Sequence, residues 1–369
     1  VLLQQLTLSD FRNYSELEIE PAPGLNVFVG ANAQGKSNLL EAIAMLGTGK
    51  SFRTAREGDT VRQSSERAVL HGVAATQAGR VELACAIERS SRGTHKSYTV
   101  NGTSVRYAGY LGRMRVVTFV PADLHLASGT PGARRAFLNV ALSQSEPRYY
   151  YELARYRKVV AQKNALLRGA IEADPELLAT YNRTIVEAGT EIMLARDTLV
   201  RALAAEAQRI HARFAPNERL ELRYDADVPF DTPLRETIAS AMEARLRACA
   251  DAERARKSAV AGPHRDDVSL DLDGDSLAAY GSQGQQRTAV LALKIAEYAV
   301  MRERAREAPL LLLDDVLSEL DEERAAAFLM EIGEYEQAFI TATHLPAGLP
   351  ASARVARVDA AHVEAWAAC

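Results

Sequence analysis

An eight-residue run, Gly30-Ala31-Asn32-Ala33-Gln34-Gly35-Lys36-Ser37, restricts the architecture open to this chain more than any other stretch. It fits the phosphate-loop pattern GxxxxGK[ST], which has physical meaning only between a buried strand and the start of a helix. Both neighbours are legible. Leu25-Asn26-Val27-Phe28-Val29 reads as a short buried strand, and Leu39, Leu40, Ala42, Ile43 and Leu46 recur at helical spacing beyond the loop. Strand, loop and helix in this order predict an α/β fold. The turn aims successive backbone N–H groups of Gly30, Ala31, Asn32, Ala33, Gln34 and Gly35 inward, and the helix adds the positive end of its dipole. Gly30 and Gly35 let the backbone approach phosphate oxygens with no side chain in the way. In that geometry Lys36 reaches the β- and γ-phosphates and the Ser37 hydroxyl holds Mg²⁺, so ATP with Mg²⁺ is the expected ligand. Gly47-Thr48-Gly49-Lys50-Ser51 looks like a second such loop, but it follows a helix and has Ala44 where the pattern requires glycine. It reads as a helix end.

At 369 residues the chain is long enough for two domains or lobes. Hydrophobic residues at 47% and charged residues at 25% are those of an ordinary globular protein. A net charge of −4 excludes a generally basic nucleic-acid coat, so any nucleic-acid contact must be a local patch or come from assembly of several chains. Cys85, Cys249 and Cys369 are odd in number, far apart and without a CxxC pair, which predicts a reduced, cytoplasmic protein. The first residues show no signal-peptide pattern, and no stretch approaches the length of a membrane span.

Strand signals fill the first part of the chain: the alternation of Leu2, Gln4, Leu6 and Leu8, the pair Leu17/Ile19, and segments 68–76, 81–88 and 96–100. Asn101-Gly102 predicts a type I′ hairpin turn, and 116–120 a buried strand stopped by Pro121. The character then changes. Thr130-Pro131 opens a helix. Tyr149, Leu153, Tyr156, Val160 and Leu167 form an apolar stripe, which resumes after Asp174-Pro175 from Leu178 to Ile210. Two long helices in an antiparallel hairpin follow from this spacing, with a third over 234–258. Strands return at 268–272, with a turn at Asp273-Gly274, and at 310–313 and 338–341. Helices are expected at 283–306 and 321–332. The predicted organisation is an α/β head made of 1–120 and 262–369, with a helical lobe of 121–261 inserted in it.

Pro309-Leu310-Leu311-Leu312-Leu313-Asp314-Asp315 is a buried parallel strand ending in two carboxylates. Beside the Lys36 loop, Asp314 would bind Mg²⁺ through water and Asp315 would orient the attacking water. Ser282-Gln283-Gly284-Gln285-Gln286-Arg287 opens a long helix with Ser282 as a natural N-cap. It also resembles the signature motif of ABC-type ATPases, which contacts the γ-phosphate of ATP on a second copy. In the same family Ser318-Glu319-Leu320-Asp321 resembles the D-loop, and His344 stands where a switch histidine is often found. Arg12 follows the first strand, where SMC-like heads carry an arginine near the phosphates; from its position alone it reads equally as a surface arginine.

Together these segments resemble the RecF family of the SMC-like branch of ABC ATPases, and the likeness runs over nearly the whole chain. It includes Phe11-Arg12-Asn13-Tyr14, Asn38-Leu39-Leu40-Glu41-Ala42-Ile43, Lys50-Ser51-Phe52-Arg53-Thr54, Gly262-Pro263-His264-Arg265-Asp266-Asp267 and Tyr280 to Arg287. Asp315 stands where most ABC ATPases have Glu, again as in RecF. The resemblance implies an ABC-type/SMC-like ATPase head with a helical insertion lobe. It further implies a DNA-stimulated, weak ATPase that forms a homodimer on ATP, in which Lys36, Asp315 and Ser282 are catalytic. Such a dimer holds double-stranded DNA near single-strand gaps and assists RecA loading with RecR and RecO, supporting replication forks and SOS induction. Slow hydrolysis releases it. The Q-loop residue after 116–120 is unassigned.

For the DNA contact, Arg134, Arg135, Arg148, Arg155, Arg157, Lys158, Lys163 and Arg168 cluster among tyrosines, either as a DNA surface or as a solvated outer face. Lys50 and Arg53 compete with them. The alternative reading is the nucleotide-binding subunit of an ABC transporter, separable by membrane co-purification. A monomeric phosphotransferase is a third, and leaves the signature segment without a role.

Overall fold

A computed structural model describes residues 1–91, 93–169, 174–316, 328, 335–345, 349–364 and 366–368. The chain divides into two compact units, Val1–Asp123 with Lys294–Cys369, and Leu124–Leu293.

The first unit holds two sheets. One is antiparallel and six-stranded, in the order Tyr14–Ile19, Leu2–Phe11, Arg67–Thr76, Gly79–Ser90, Gly93–Val100, Thr103–Val105. Its last hairpin turns at Asn101 and Gly102, both at positive φ (50° and 74°), the type I′ geometry that this residue pair favours. The second sheet has a parallel core in the order Arg354–Asp359, Gly24–Val29, Gln337–Ala342, Leu310–Asp314, Val116–Phe119, with short antiparallel strands at one edge. The strands Leu310–Asp314 and Gln337–Ala342 are buried at every position, which explains the apolar runs 310–313 and 338–340.

The helix Lys36–Thr48 contacts strands of both sheets. Leu39, Leu40, Ile43, Met45 and Leu46 are all fully buried, each worth about 1.5–3 kcal/mol. Apolar contact all round is what a helix between two sheets requires. The helix ends at Gly49 in the left-handed region, so Gly47–Ser51 is a helix terminus and not a second phosphate loop.

The second unit is mainly helical: Pro131–Ser145, Pro147–Leu167, Pro175–Phe214, Arg235–Ala248 and Ala250–Arg256. The expected hairpin is present. The Asp174 carboxylate caps the 40-residue helix by accepting from the Glu176 N–H at 2.9 Å. The expected third helix is instead two, broken at Cys249. A three-stranded sheet joins Leu220–Asp225, Asp267–Leu272 and Asp275–Ser276. Its first strand has no counterpart in the sequence expectations, although Leu220, Leu222 and Tyr224 alternate with charged residues.

Asp267–Leu272 pairs with Leu220–Asp225 over six residues, and 262–293, expected in the head, lie in the second compact unit. The segment that resembles the ABC signature goes with it. The expected helix 321–332 lies outside the described residues. No described helix is long and apolar enough to cross a membrane.

Candidate functional site

The phosphate loop leaves the strand Gly24–Val29 and enters the helix Lys36–Thr48 with no side chain capping the helix N-terminus. Gly35 is the N-cap residue at φ 117°, a conformation that strains any L side chain. A Cβ there would also meet the Asn13 amide at 2.7 Å and the Tyr14 hydroxyl at 2.8 Å. At Gly30 a Cβ would lie 2.2 Å from the Val358 carbonyl oxygen. Both glycines are thus required by close approach, and the first-turn N–H groups are not closed off by a side chain.

Lys36 is buried, and its ammonium donates to the carbonyls of Gly30 (2.6 Å) and Ala31 (2.7 Å). Burial pulls its pKa below the ordinary lysine value, and the nearby Asp315 and Asp314 carboxylates oppose that shift. The Ser37 hydroxyl donates to Asp314 Oδ1 at 2.7 Å. The same oxygen accepts from the Thr341 hydroxyl at 2.8 Å, and the Thr341 oxygen accepts from the Asp315 N–H at 2.9 Å. Parallel register sets this up, because Asp314 lies opposite Thr341 on the adjacent strand. Asp315 then leaves the sheet at φ 54°, in the left-handed region that non-glycine residues rarely occupy.

A hydroxyl and a carboxylate are the hard oxygen donors that Mg²⁺ prefers when phosphates supply further ligands. Among the described residues no cluster of three or more His, Cys, Asp or Glu side chains is built to hold a metal by itself. Ser37 and Asp314 fit an ion that arrives with a nucleotide.

Arg12 is held as a fork. Its Nη2 and Nε donate to the two carboxylate oxygens of Glu41 at 2.6 and 2.9 Å, and its Nη1 to the Asp59 carbonyl. Glu41 is fully buried and also accepts from the Ser51 hydroxyl, with the Arg53 guanidinium 3.8 Å away. Arg53 donates to Asn38, Asn38 to Asn13, and Asn13 to the Gln34 carbonyl. Arg12 is therefore tied to the loop helix through an ion pair and is not a loose surface arginine. Of the competing DNA cations on the head, Arg53 shares this cluster and Lys50 is exposed.

Gly30, Ala31 and Asn32 line a cleft of about 670 Å³ together with His344 and Arg357. Arg357 was not expected, although its strand pairs with the loop strand at Val29. Thr341 was not expected either; a polar residue closing an apolar strand beside Asp314 was the available signal.

The Ser282 to Gln285 segment belongs to the second unit. It forms a capping box: the Ser282 hydroxyl accepts from the Gln285 N–H at 3.2 Å, and the Gln285 side chain accepts from the Ser282 N–H at 2.8 Å. Gln285 also donates to Glu218 at 3.0 Å, while Ser282 and Gln283 are exposed. The expected D-loop, Ser318 to Asp321, lies outside the described residues. Of the expected DNA cations in this unit, Lys163 is buried and paired with Glu253 at 2.6 Å, which removes it from any surface. Tyr149 and Tyr156 are core residues, as their place on the apolar stripe implied.

Residues 2–362 match the family model described as RecF/RecN/SMC N terminal domain. The DNA replication and repair protein RecF of Symbiobacterium thermophilum is 42% identical over 369 residues, covering 98% of this chain and 97% of the relative. RecF of Thermosynechococcus vestitus is 40% identical, covering 94% and 91%. Among solved structures, the recombination mediator protein RecF with ATP, of the RecFOR pathway, superposes with a TM-score of 0.92 at 29% identity, covering 100% of this chain and 98% of that one. The Smc head domain of Pyrococcus furiosus shares the fold at a TM-score of 0.57 and 15% identity, covering 100% and 96%. A glycine-hinged loop whose serine meets the strand-end aspartate, in a chain this similar over its length, belongs to the RecF family of SMC-like, ABC-type ATPases.

Proposed function

We propose that this chain is an ATP-dependent DNA-binding protein of recombinational repair that pairs with a second copy when ATP is bound. The observation that carries the reading is the Ser37 hydroxyl held 2.7 Å from Asp314 at a helix N-terminus that no side chain caps. There the backbone of Gly30 to Gly35 cradles the phosphates, Lys36 neutralises the β- and γ-oxygens, and Ser37 with Asp314 holds Mg²⁺. Held by Ser37 and Asp314, Mg²⁺ would supply Lewis-acid stabilisation of negative charge on the phosphate oxygens. Asp315 orients the attacking water, and Arg12 lends charge to the phosphate side of the loop.

Ser282, with Gln283, Gly284 and Gln285, completes the site from the other copy, adding a second helix N-terminus to the γ-phosphate. Nucleotide occupancy thereby controls assembly, and slow, DNA-stimulated hydrolysis reverses it. The paired state holds duplex DNA beside single-strand gaps, in the cytoplasm. With RecR and RecO it assists RecA loading, in support of replication forks and SOS induction. The repair role of the relatives and the RecFOR pathway of the ATP-bound neighbour support this assignment.

Sedimentation velocity with and without MgATP, and with and without gapped duplex, tests it. A two-fold mass increase with MgATP, and co-sedimentation with gapped duplex only then, is expected. A well-folded protein that stays monomeric at saturating MgATP refutes the trans-site reading.

A further inference from the structure

Six of the eight cations that the sequence offers as a DNA surface between 134 and 168 fall into two groups in the second unit, and Lys158 and Arg168 belong to neither. Arg134 gives two donors to the Asp267 carboxylate at 2.7 and 2.8 Å, Arg148 faces Glu191, Arg155 pairs with Glu187, and Lys163 is buried on Glu253. These four are neutralised internally. Arg135 and Arg157 differ: they line one cavity of about 230 Å³ together with Asn139, Tyr156, Arg196 and His264. Among the described residues, no carboxylate lines it.

Hydrogen bonds hold the cavity wall. Arg196 is 2% exposed and donates to the Pro263 carbonyl (2.6 Å), Asp266 (2.7 Å), the Tyr149 hydroxyl (3.2 Å) and Asn139 Oδ1 (3.1 Å). Tyr149 also donates to Asn139 Oδ1 at 2.6 Å, so the amide oxygen is occupied and the NH₂ group is the end left to donate. Asp266 balances Arg196, leaving Arg135 and Arg157 as excess positive charge. Among the described residues Arg135 donates to the Asp266 carbonyl at 2.6 Å, and exposed Arg157 pairs with no carboxylate. Burial and then the Arg196 guanidinium draw the Arg135 pKa below the ordinary arginine value, a cost that a bound anion relieves. Nearby, Tyr156 bonds His264 at 2.6 Å, and burial lowers the pKa of that histidine.

We propose that this cavity binds a single phosphate group, gripped by Arg135 and Arg157 and oriented by the Asn139 amide. Planar guanidinium forks match phosphate oxygens, and the volume lies below the roughly 300–1,000 Å³ of pockets that enclose whole small ligands. One phosphodiester or inorganic phosphate fits; a nucleoside triphosphate does not. The site rests on the DNA-binding reading for the source of its phosphate, a backbone group of the bound duplex. Free inorganic phosphate is the other source.

The test uses the full chain and the Arg157→Ala variant, with Lys158→Ala as an exposed neighbour outside the cavity. Binding to gapped duplex with MgATP is followed by anisotropy across a range of salt. Arg157→Ala is expected to weaken binding several-fold and to reduce the slope of log K against log[salt] by about 0.9, the value for one lost phosphate contact. Lys158→Ala is expected to change the slope less. In the second arm, inorganic phosphate at constant ionic strength raises the melting midpoint of the wild type and not that of Arg157→Ala. A smaller slope identifies DNA as the source, and a lost thermal shift alone identifies free phosphate. If neither readout moves, or Lys158→Ala matches Arg157→Ala in both, the site is overturned. Wild type that fails to bind gapped duplex refutes the DNA reading instead, and the phosphate arm then judges the cavity.

Discussion

Two helices of this chain begin in opposite ways. Lys36–Thr48 starts at a left-handed glycine with no side-chain cap and lies between two sheets, so tertiary packing holds its N-terminus in place. Gln283–Ala305 starts at an exposed serine closed by a reciprocal box between Ser282 and Gln285. The first end keeps its backbone donors for a ligand, and its chemistry comes from the neighbouring strands through Asp314 and Thr341. The second is satisfied locally, so its hydroxyl must exchange a 3.2 Å cap bond for any ligand it meets. An end stabilised from outside can bind on its own. An end that stabilises itself must give up a cap bond first, as the proposed trans contact of Ser282 would require.

That contrast is open to direct attack. Lys36→Met should weaken ATP binding by about 10- to 150-fold, the effect of losing a charge-assisted contact worth about 1.5–3 kcal/mol, as read by calorimetry. A smaller loss would mean that the loop backbone binds unaided. Ser282→Arg should leave ATP binding by the monomer within about three-fold, under 1 kcal/mol, while abolishing the ATP-dependent dimer in sedimentation. A variant that still pairs would place the second helix end outside the nucleotide site.

Thr341→Val keeps the shape and removes the hydroxyl that accepts from Asp315 and donates to Asp314. About 1–3 kcal/mol of stability should be lost in urea unfolding, with slower hydrolysis and retained ATP affinity. Unchanged turnover would show that Asp314 needs only Ser37. The smallest change is expected from Gln285→Ala, which removes half of the capping box. It should cost about 1 kcal/mol in the same assay and leave ATP affinity unaltered. A loss of affinity there would mean that the two helix ends are not independent in the monomer.

Much of this was legible from local pattern. The strand before Gly30, the helix after Ser37, the Asn101-Gly102 turn and the helical hairpin broken at Asp174-Pro175 each follow from residues within a few positions of one another. Steric and capping rules act at that range. The strand Leu220–Asp225 was missed because its alternation is weak beside the strong helical stripe before it. Among the lobe cations, sequence could not separate Lys163, buried on Glu253, from Arg157, exposed in a cavity, because both sit on one helix among similar neighbours.

Sequence by itself determined that this chain carries a phosphate loop, an apolar strand ending in paired aspartates, and the segments of a RecF-like ATPase. These are statements about chemistry and short-range order. Only the tertiary structure decided that Thr341 joins Ser37 and Asp314, that Glu41 anchors Arg12, and that Arg135 and Arg157 meet in one cavity. Those contacts join residues from 22 to more than 200 positions apart, and no local rule specifies them. They exist because buried sheets and helices fix the register in which distant side chains must either find a partner or lose their hydration.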